Sequence, residues 1–213
     1  MINYLDEHLD RAQLALMESL DDPVKIQAFL NSIPYSADSA NRCPLQVLAD
    51  RKANCLDGAF FAAAALRRLG HPPLVLDLLP EPGTDDDHML AIFKQNGHFG
   101  AVAKSNYVGL RFRDPVYRSL RELVMSYFEQ FFNVKGQKTL RAYTLPVNMA
   151  QFDALDWTWK PDGLEQIEHH FSRVRQFKVC TAAMIAELAT VDPRSLQAGL
   201  MGSNPEGLYQ PPK

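Results

Sequence analysis

The stretch Ala53-Asn54-Cys55-Leu56-Asp57-Gly58-Ala59-Phe60-Phe61-Ala62-Ala63-Ala64-Ala65-Leu66-Arg67-Arg68-Leu69-Gly70 predicts a helix over residues 55–69. Asn54 is placed to cap it, Asp57 stands three residues on as in a capping box, and the alanine run has high helix propensity. Gly70 and Pro72 stop it. A thiol in the first turn of a helix meets unpaired backbone N–H groups and the positive end of the macrodipole, and both favour its thiolate. The Cys55 N–H is also placed to donate to an oxyanion. A lone cysteine on an apolar helix is more often packing than chemistry, so its neighbours must decide.

Working outward, Leu5, Leu9, Leu14, Leu16 and Leu20 recur at helical spacing over residues 2–20, and Asp21-Asp22-Pro23 starts a second helix to about Leu30. Residues 34–52 are broken, with a helical turn or two from Pro44 to Asp50. After the Cys55 helix, residues 74–79 are a short buried strand. Residues 88–94 and 98–104 form a hairpin around Asn96-Gly97, and a further strand covers 109–113. An amphipathic helix is expected over 116–132, a strand over 137–145, helices over 164–174 and 181–189, and a loose tail over 202–213. The chain then divides, within one domain of 1–213, into an N-terminal helical part (1–33), a core (41–146) and a C-terminal helical extension (147–213).

With 213 residues, 46% hydrophobic and 22% charged, the chain can bury a core without a staple. Its net charge of -3 provides no field for nucleic acid or an anionic membrane. Small molecules or peptides are the better default partners. The three cysteines, Cys43, Cys55 and Cys180, are odd in number and widely spaced, which fits reduced thiols in a cytoplasm. No leader or membrane span is read. Asp85-Asp86-Asp87-His88 is a solvated charge run, no second histidine cluster supports a metal, and no cofactor loop is present.

The order that follows Cys55 is informative: its helix, a strand, a second strand opening on His88, a third after the hairpin, and Asp114 at a strand end. Arg51-Lys52-Ala53-Asn54-Cys55-Leu56-Asp57-Gly58-Ala59, Asp87-His88-Met89-Leu90-Ala91 and Arg113-Asp114-Pro115 together resemble the transglutaminase-like superfamily over about residues 41–117. The resemblance implies an α/β (α+β) fold, a Cys-bearing helix on an antiparallel sheet, and a Cys-His-Asp site related to that of papain-like proteases. It further implies amide cleavage or transfer through a Cys55 thioester, without a cofactor.

On this reading His88 faces the helix N-terminus as base. Asp114 orients it, with Asn106 as the papain-like alternative and helix capping as an equal reading of Asp114. Asp87 is a poor orienter because adjacent strand residues point to opposite faces, and Asp77 could face either way. Gln46 and Tyr35 are candidates for a second oxyanion donor. Cys55 is expected to have a depressed pKa, caused by His88 and helped by Asp85, Asp86 and Asp87. The rivals are a catalytically inactive domain that serves as a binding module, and another thiol acyltransferase such as an arylamine acetyltransferase.

Overall fold

The structure, a computed structural model, describes residues 5–212. The start of the helix expected over 2–20 and Lys213 of the tail lie outside them. The N-terminal pattern resolves into a 3-10 turn, Asp6–His8, and helix α1, Arg11–Ser19, because Asp10 caps α1 in a box with Gln13. Asp22 caps α2, Pro23–Ser32, with Pro23 in its first turn. Helix α3 follows over Pro44–Asp50, and α4 over Cys55–Arg68.

The fold is α+β, helices with an antiparallel sheet. Strands β1 (Leu74–Pro80), β2 (His88–Gln95), β3 (His98–Val102), β4 (Arg113–Tyr117), β5 (Leu140–Thr144), β6 (Val147–Asn148) and β7 (Gln176–Lys178) make seven strands in the order β4-β3-β2-β1-β5-β7, with β6 beside β1. Every pairing is antiparallel. The Asn96-Gly97 hairpin forms with both residues at positive φ, 48° and 81°, and Gln95 faces His98 as counted from the sequence. Alternation sends Val75, Met89, Ala91, Phe93 and Val102 to one face, under α4, and Leu76, Leu78, Leu90, Ile92 and Ala101 to the other. Phe60 and Phe61 of α4 are fully buried, each contributing about 1.5–3 kcal/mol by removal from water.

Three boundaries differ from expectation, each for a local reason. Strand β3 stops at Val102 because Gln27 of α2 takes both backbone groups of Ala103: its Nε2 donates to the carbonyl at 2.9 Å and its Oε1 accepts the N–H at 3.0 Å. The strand expected over 109–113 lies instead at 113–117, where Pro115 is tolerated because β4 is a sheet edge. The helix expected over 116–132 shortens to α5, Leu120–Met125, capped by Ser119, followed by a 3-10 turn at Phe128–Gln130. Its apolar residues Leu123, Val124, Tyr127, Phe128 and Phe131 still pack under the second sheet face.

In the C-terminal part, α6 (Leu164–Phe171), α7 (Ala182–Ala186) and α8 (Pro193–Gly199) close the chain. The tail expected to be loose is instead held, with a 3-10 turn at Pro205–Gly207. Among the described residues no helix is long and apolar enough to cross a membrane.

Candidate active site

Cys55 is the first residue of α4, and the cap is the predicted one. Asn54 Oδ1 accepts the Asp57 N–H at 2.9 Å, and Asp57 Oδ2 accepts the Asn54 N–H at 3.1 Å. Asp57 is fully buried and its Oδ1 also accepts the Arg42 N–H at 2.6 Å, which ties the loop before α3 to the helix N-terminus. A parallel bridge between Tyr35 and Ala53, with Ser36 N–H on the Ala53 carbonyl at 3.0 Å, brings Tyr35 to the thiol. The approach of α4 to the segment after β3 depends on Gly58: a Cβ there would stand 2.2 Å from the Cβ of Lys104.

The early end of β3 leaves the first residues of β2 without a neighbour on that side. Cys55 Sγ occupies the vacated edge, 4.0 Å from the Asp87 carbonyl oxygen. The Tyr35 hydroxyl and the Met89 N–H act on the sulfur in favour of its anion, but burial and then the Asp87 charge outweigh them. The thiol is pushed up to about 12. This corrects the expected depression: protein crowds the half-buried thiol, and the nearby charges are acidic.

His88 opens β2, opposite Leu78, and is 3% exposed. By alternation its ring leaves the sheet on the Leu76 and Leu90 face rather than toward α4. The ring Nε2 lies 2.7 Å from the Leu110 carbonyl oxygen. A carbonyl only accepts, so Nε2 carries the proton and, in the neutral ring, Nδ1 keeps its lone pair. Burial holds the imidazole down to about 4, the Leu110 bond pulling upward and the Arg113 charge further downward. Burial also raises the carboxyls of Asp85, Asp86 and Asp87, so the acidic run does not secure an imidazolium as expected.

The thiol and the ring open on one cavity of about 40 Å³, lined also by Tyr35, Asn106, Tyr107 and Tyr209. No hydrogen bond joins them among the described residues. His88 Nδ1 has no hydrogen-bond partner among the described residues. A space of about 10–15 Å³ suffices for one water, so the cavity that both groups line has room for a small polar group. Cys43 and Cys180 are buried elsewhere.

The third position differs from either sequence candidate. Asp114 is exposed on β4, and the nitrogen expected to meet it meets the Leu110 carbonyl instead. Asn106 points to the tail: its Oδ1 accepts the Asn204 N–H at 2.7 Å and its Nδ2 donates to the Asn204 carbonyl at 2.8 Å. The Leu110 carbonyl is set by Arg113, whose guanidinium donates to the Gly109 carbonyl at 2.9 Å, and by Tyr127, whose hydroxyl donates to the Arg111 carbonyl at 2.8 Å. Gln46 is spent on its own helix, accepting the Cys43 N–H at 3.0 Å. Of the two oxyanion candidates, Tyr35 is the one at the sulfur, and burial keeps its phenol protonated. A backbone carbonyl has no residue-type signature, so no sequence signal pointed to Leu110.

The sequence matches no protein-family model and no curated protein. Among solved structures the chain is similar to Legionella pneumophila LapG, with a TM-score of 0.38 and 16% identity over 52% of this chain and 72% of that one. It is also similar to EGTA-treated LapG of the same organism, with a TM-score of 0.36 and 18% identity over 48% of this chain and 67% of that one. Both likenesses are partial, and chemistry is therefore read from the residues around Cys55.

Proposed function

We propose that the chain is a cysteine acyl-transfer enzyme of transglutaminase-like type, acting on a peptide or related amide through a Cys55 thioester. The observation that carries this reading is the shared cavity: a thiol at a helix N-terminus and an imidazole held as the Nε2–H tautomer line the same small space. At rest both groups are neutral. When an amide carbonyl enters, the thiol proton passes to Nδ1 as the S–C bond forms, and the carbonyl oxygen becomes the oxyanion. The Cys55 N–H and the Tyr35 hydroxyl are its donors. Collapse of the adduct expels the amine, which takes the proton from Nδ1, and water then releases the acyl group. The Leu110 carbonyl has the orienting part expected of a carboxylate.

The test is acetylation by p-nitrophenyl acetate, followed by site-resolved mass spectrometry. Acetylation confined to Cys55 is expected, with the rate lowered about a hundredfold or more in His88→Ala. An equal rate in native protein and His88→Ala would remove the catalytic reading and leave that of a binding module.

A further inference from the structure

One carboxyl near Cys55 has no part in this chemistry and no charged partner. Asp77, on β1, is 3% exposed, and its Oδ1 is the buried side-chain oxygen without a hydrogen bond among the described residues. Leaving such an atom unpaired costs about 1–3 kcal/mol, more when it is charged. Asp77 lines a cavity of about 580 Å³ with Asp87, Glu165 and Glu168. Leu79, Met89 and Phe171 give the same cavity apolar walls. Asp87, Met89 and Glu168 also line the cleft of about 300 Å³ over Cys55, so the two spaces adjoin along an acidic groove wall.

The groove is of one sign. Asp86 and Glu206 line its Cys55 end, and no lysine or arginine lines either space. The one other basic side chain, His169, has its Nε2 turned to Arg173 at 2.8 Å. Carboxylates between low-dielectric walls concentrate their field and attract a cation. Apolar walls that lead to carboxylates suit a long methylene stem with a charged head. Among the described residues no group of three or more His, Cys, Asp or Glu is arranged to hold a metal ion, which favours an organic cation. The carboxyls of Asp77 and Asp87 are both raised, Asp77 by burial and by the Asp87 charge against a bond from the His88 backbone N–H, as expected of acids that lack a counter-charge.

We propose that the pocket of Asp77, Asp87, Glu165 and Glu168 binds the lysine or arginine side chain of a peptide whose neighbouring amide is presented to Cys55. The orientation toward Cys55 rests on the acyl-transfer reading; the binding of a cation does not. Binding is therefore measured in Cys55→Ser, which cannot form a thioester. Nα-acetyl-lysine amide, Nα-acetyl-arginine amide and the neutral Nα-acetyl-norleucine amide are titrated separately, and amide resonances of β1 and α6 are followed by NMR.

The cationic probes should bind about tenfold more tightly than norleucine amide, and the preference should fall to near parity when Asp77→Asn and Glu168→Gln are combined. Glu168 is exposed, so Glu168→Gln alone tests the same point without risk to the fold, with a loss of about threefold expected. Equal binding of lysine and norleucine amides overturns the proposal. So does a preference that survives both substitutions, or a response to calcium chloride with none to the organic cations. These outcomes do not depend on thiol reactivity, so they separate from failure of the acetylation test.

Discussion

The Cys55 cavity has one wall made by a single helix and another made by segments far apart in sequence. The near wall is the first turn of α4, where Asn54, Cys55 and Asp57 are neighbours and their hydrogen bonds span three residues. The far wall joins His88 to Leu110, and Asn106 to Asn204 across 98 positions. A local wall is formed whenever its helix is formed. A composite wall exists only when the whole fold is complete, and its parts can move separately. Damage to the near wall should therefore appear as lost stability, and damage to the far wall as altered reactivity at Cys55 besides any loss of stability.

The largest effect is expected at Gly58. In Gly58→Ala the new Cβ overlaps the Cβ of Lys104, whose ammonium is anchored on the carbonyls of Leu30 and Ile33. Neither partner can give way easily, and a loss of about 3 kcal/mol is expected in urea denaturation. A loss under about 1 kcal/mol would show that α4 can slide, and that the near wall is less rigid than its packing implies.

Nearly as large is the pH dependence that His88 imposes. Its folded pKa is about 4 against an ordinary 6.5, so between these values the folded state binds fewer protons than the unfolded chain. Its contribution is fully present above pH 6.5 and is lost as pH falls toward 4. The displacement from 6.5 to about 4 corresponds to about 3 kcal/mol. Asp85, raised to about 6, works in the opposite sense over much of the same range. Subtracting the stability of His88→Gln from that of the native protein at each pH removes the carboxyl contribution common to both. A difference that stays flat from pH 4 to 7 would mean that the ring is not held neutral.

The near wall was legible because its chemistry is local. A capping residue, an acid three positions later and an alanine run specify a helix start, and they place the thiol without reference to the rest of the chain. The hairpin was legible for the same reason, since Asn96-Gly97 suits two consecutive positive φ angles. The far wall was not. Strand β3 ends where Gln27, 76 positions away, takes the backbone of Ala103, and nothing in the 98–104 stretch announces it. The orienting group of His88 is a carbonyl set by Arg113 and Tyr127. The pKa expectation failed because helix position and charge order were visible in sequence, whereas burial, the dominant cause, was not.

Arg113 is the next test of the far wall. Besides the Gly109 carbonyl it donates to Ser126 Oγ at 2.9 Å, and its guanidinium lies 3.9 Å from the centre of the Tyr127 ring. Arg113→Met should keep much of that stacking area while it frees the segment that carries the Leu110 carbonyl. Acetylation of Cys55 should fall about tenfold, or about 1.4 kcal/mol, with the pH at which the rate rises displaced upward because the Arg113 charge no longer opposes the imidazolium. A purely structural residue would lower stability without moving that pH profile. An unchanged profile would thus remove Arg113 from the positioning of His88.

The smallest effect on reactivity is expected at the outermost part of the far wall, where Glu206, Gly207, Leu208 and Tyr209 line the cleft over Cys55. This segment is tied down chiefly through Asn204, which meets both amide atoms of Asn106 and donates from Nδ2 to the Tyr35 carbonyl at 3.1 Å. Asn106→Ala removes two of these bonds but touches neither the thiol nor the imidazole. Its cost in stability should be about 1–2 kcal/mol. If Asn106 were the orienting residue expected of a papain-like site, the same change would slow acetylation. If it is only the anchor of the tail, the cleft opens instead, and Cys55 should react severalfold faster with a bulky maleimide while its rate with p-nitrophenyl acetate stays nearly constant. The ratio of the two rates decides between these roles, because loss of base catalysis affects both reagents and loss of a cover favours the larger one. A fall in both rates would return Asn106 to the catalytic group and displace the Leu110 carbonyl from it.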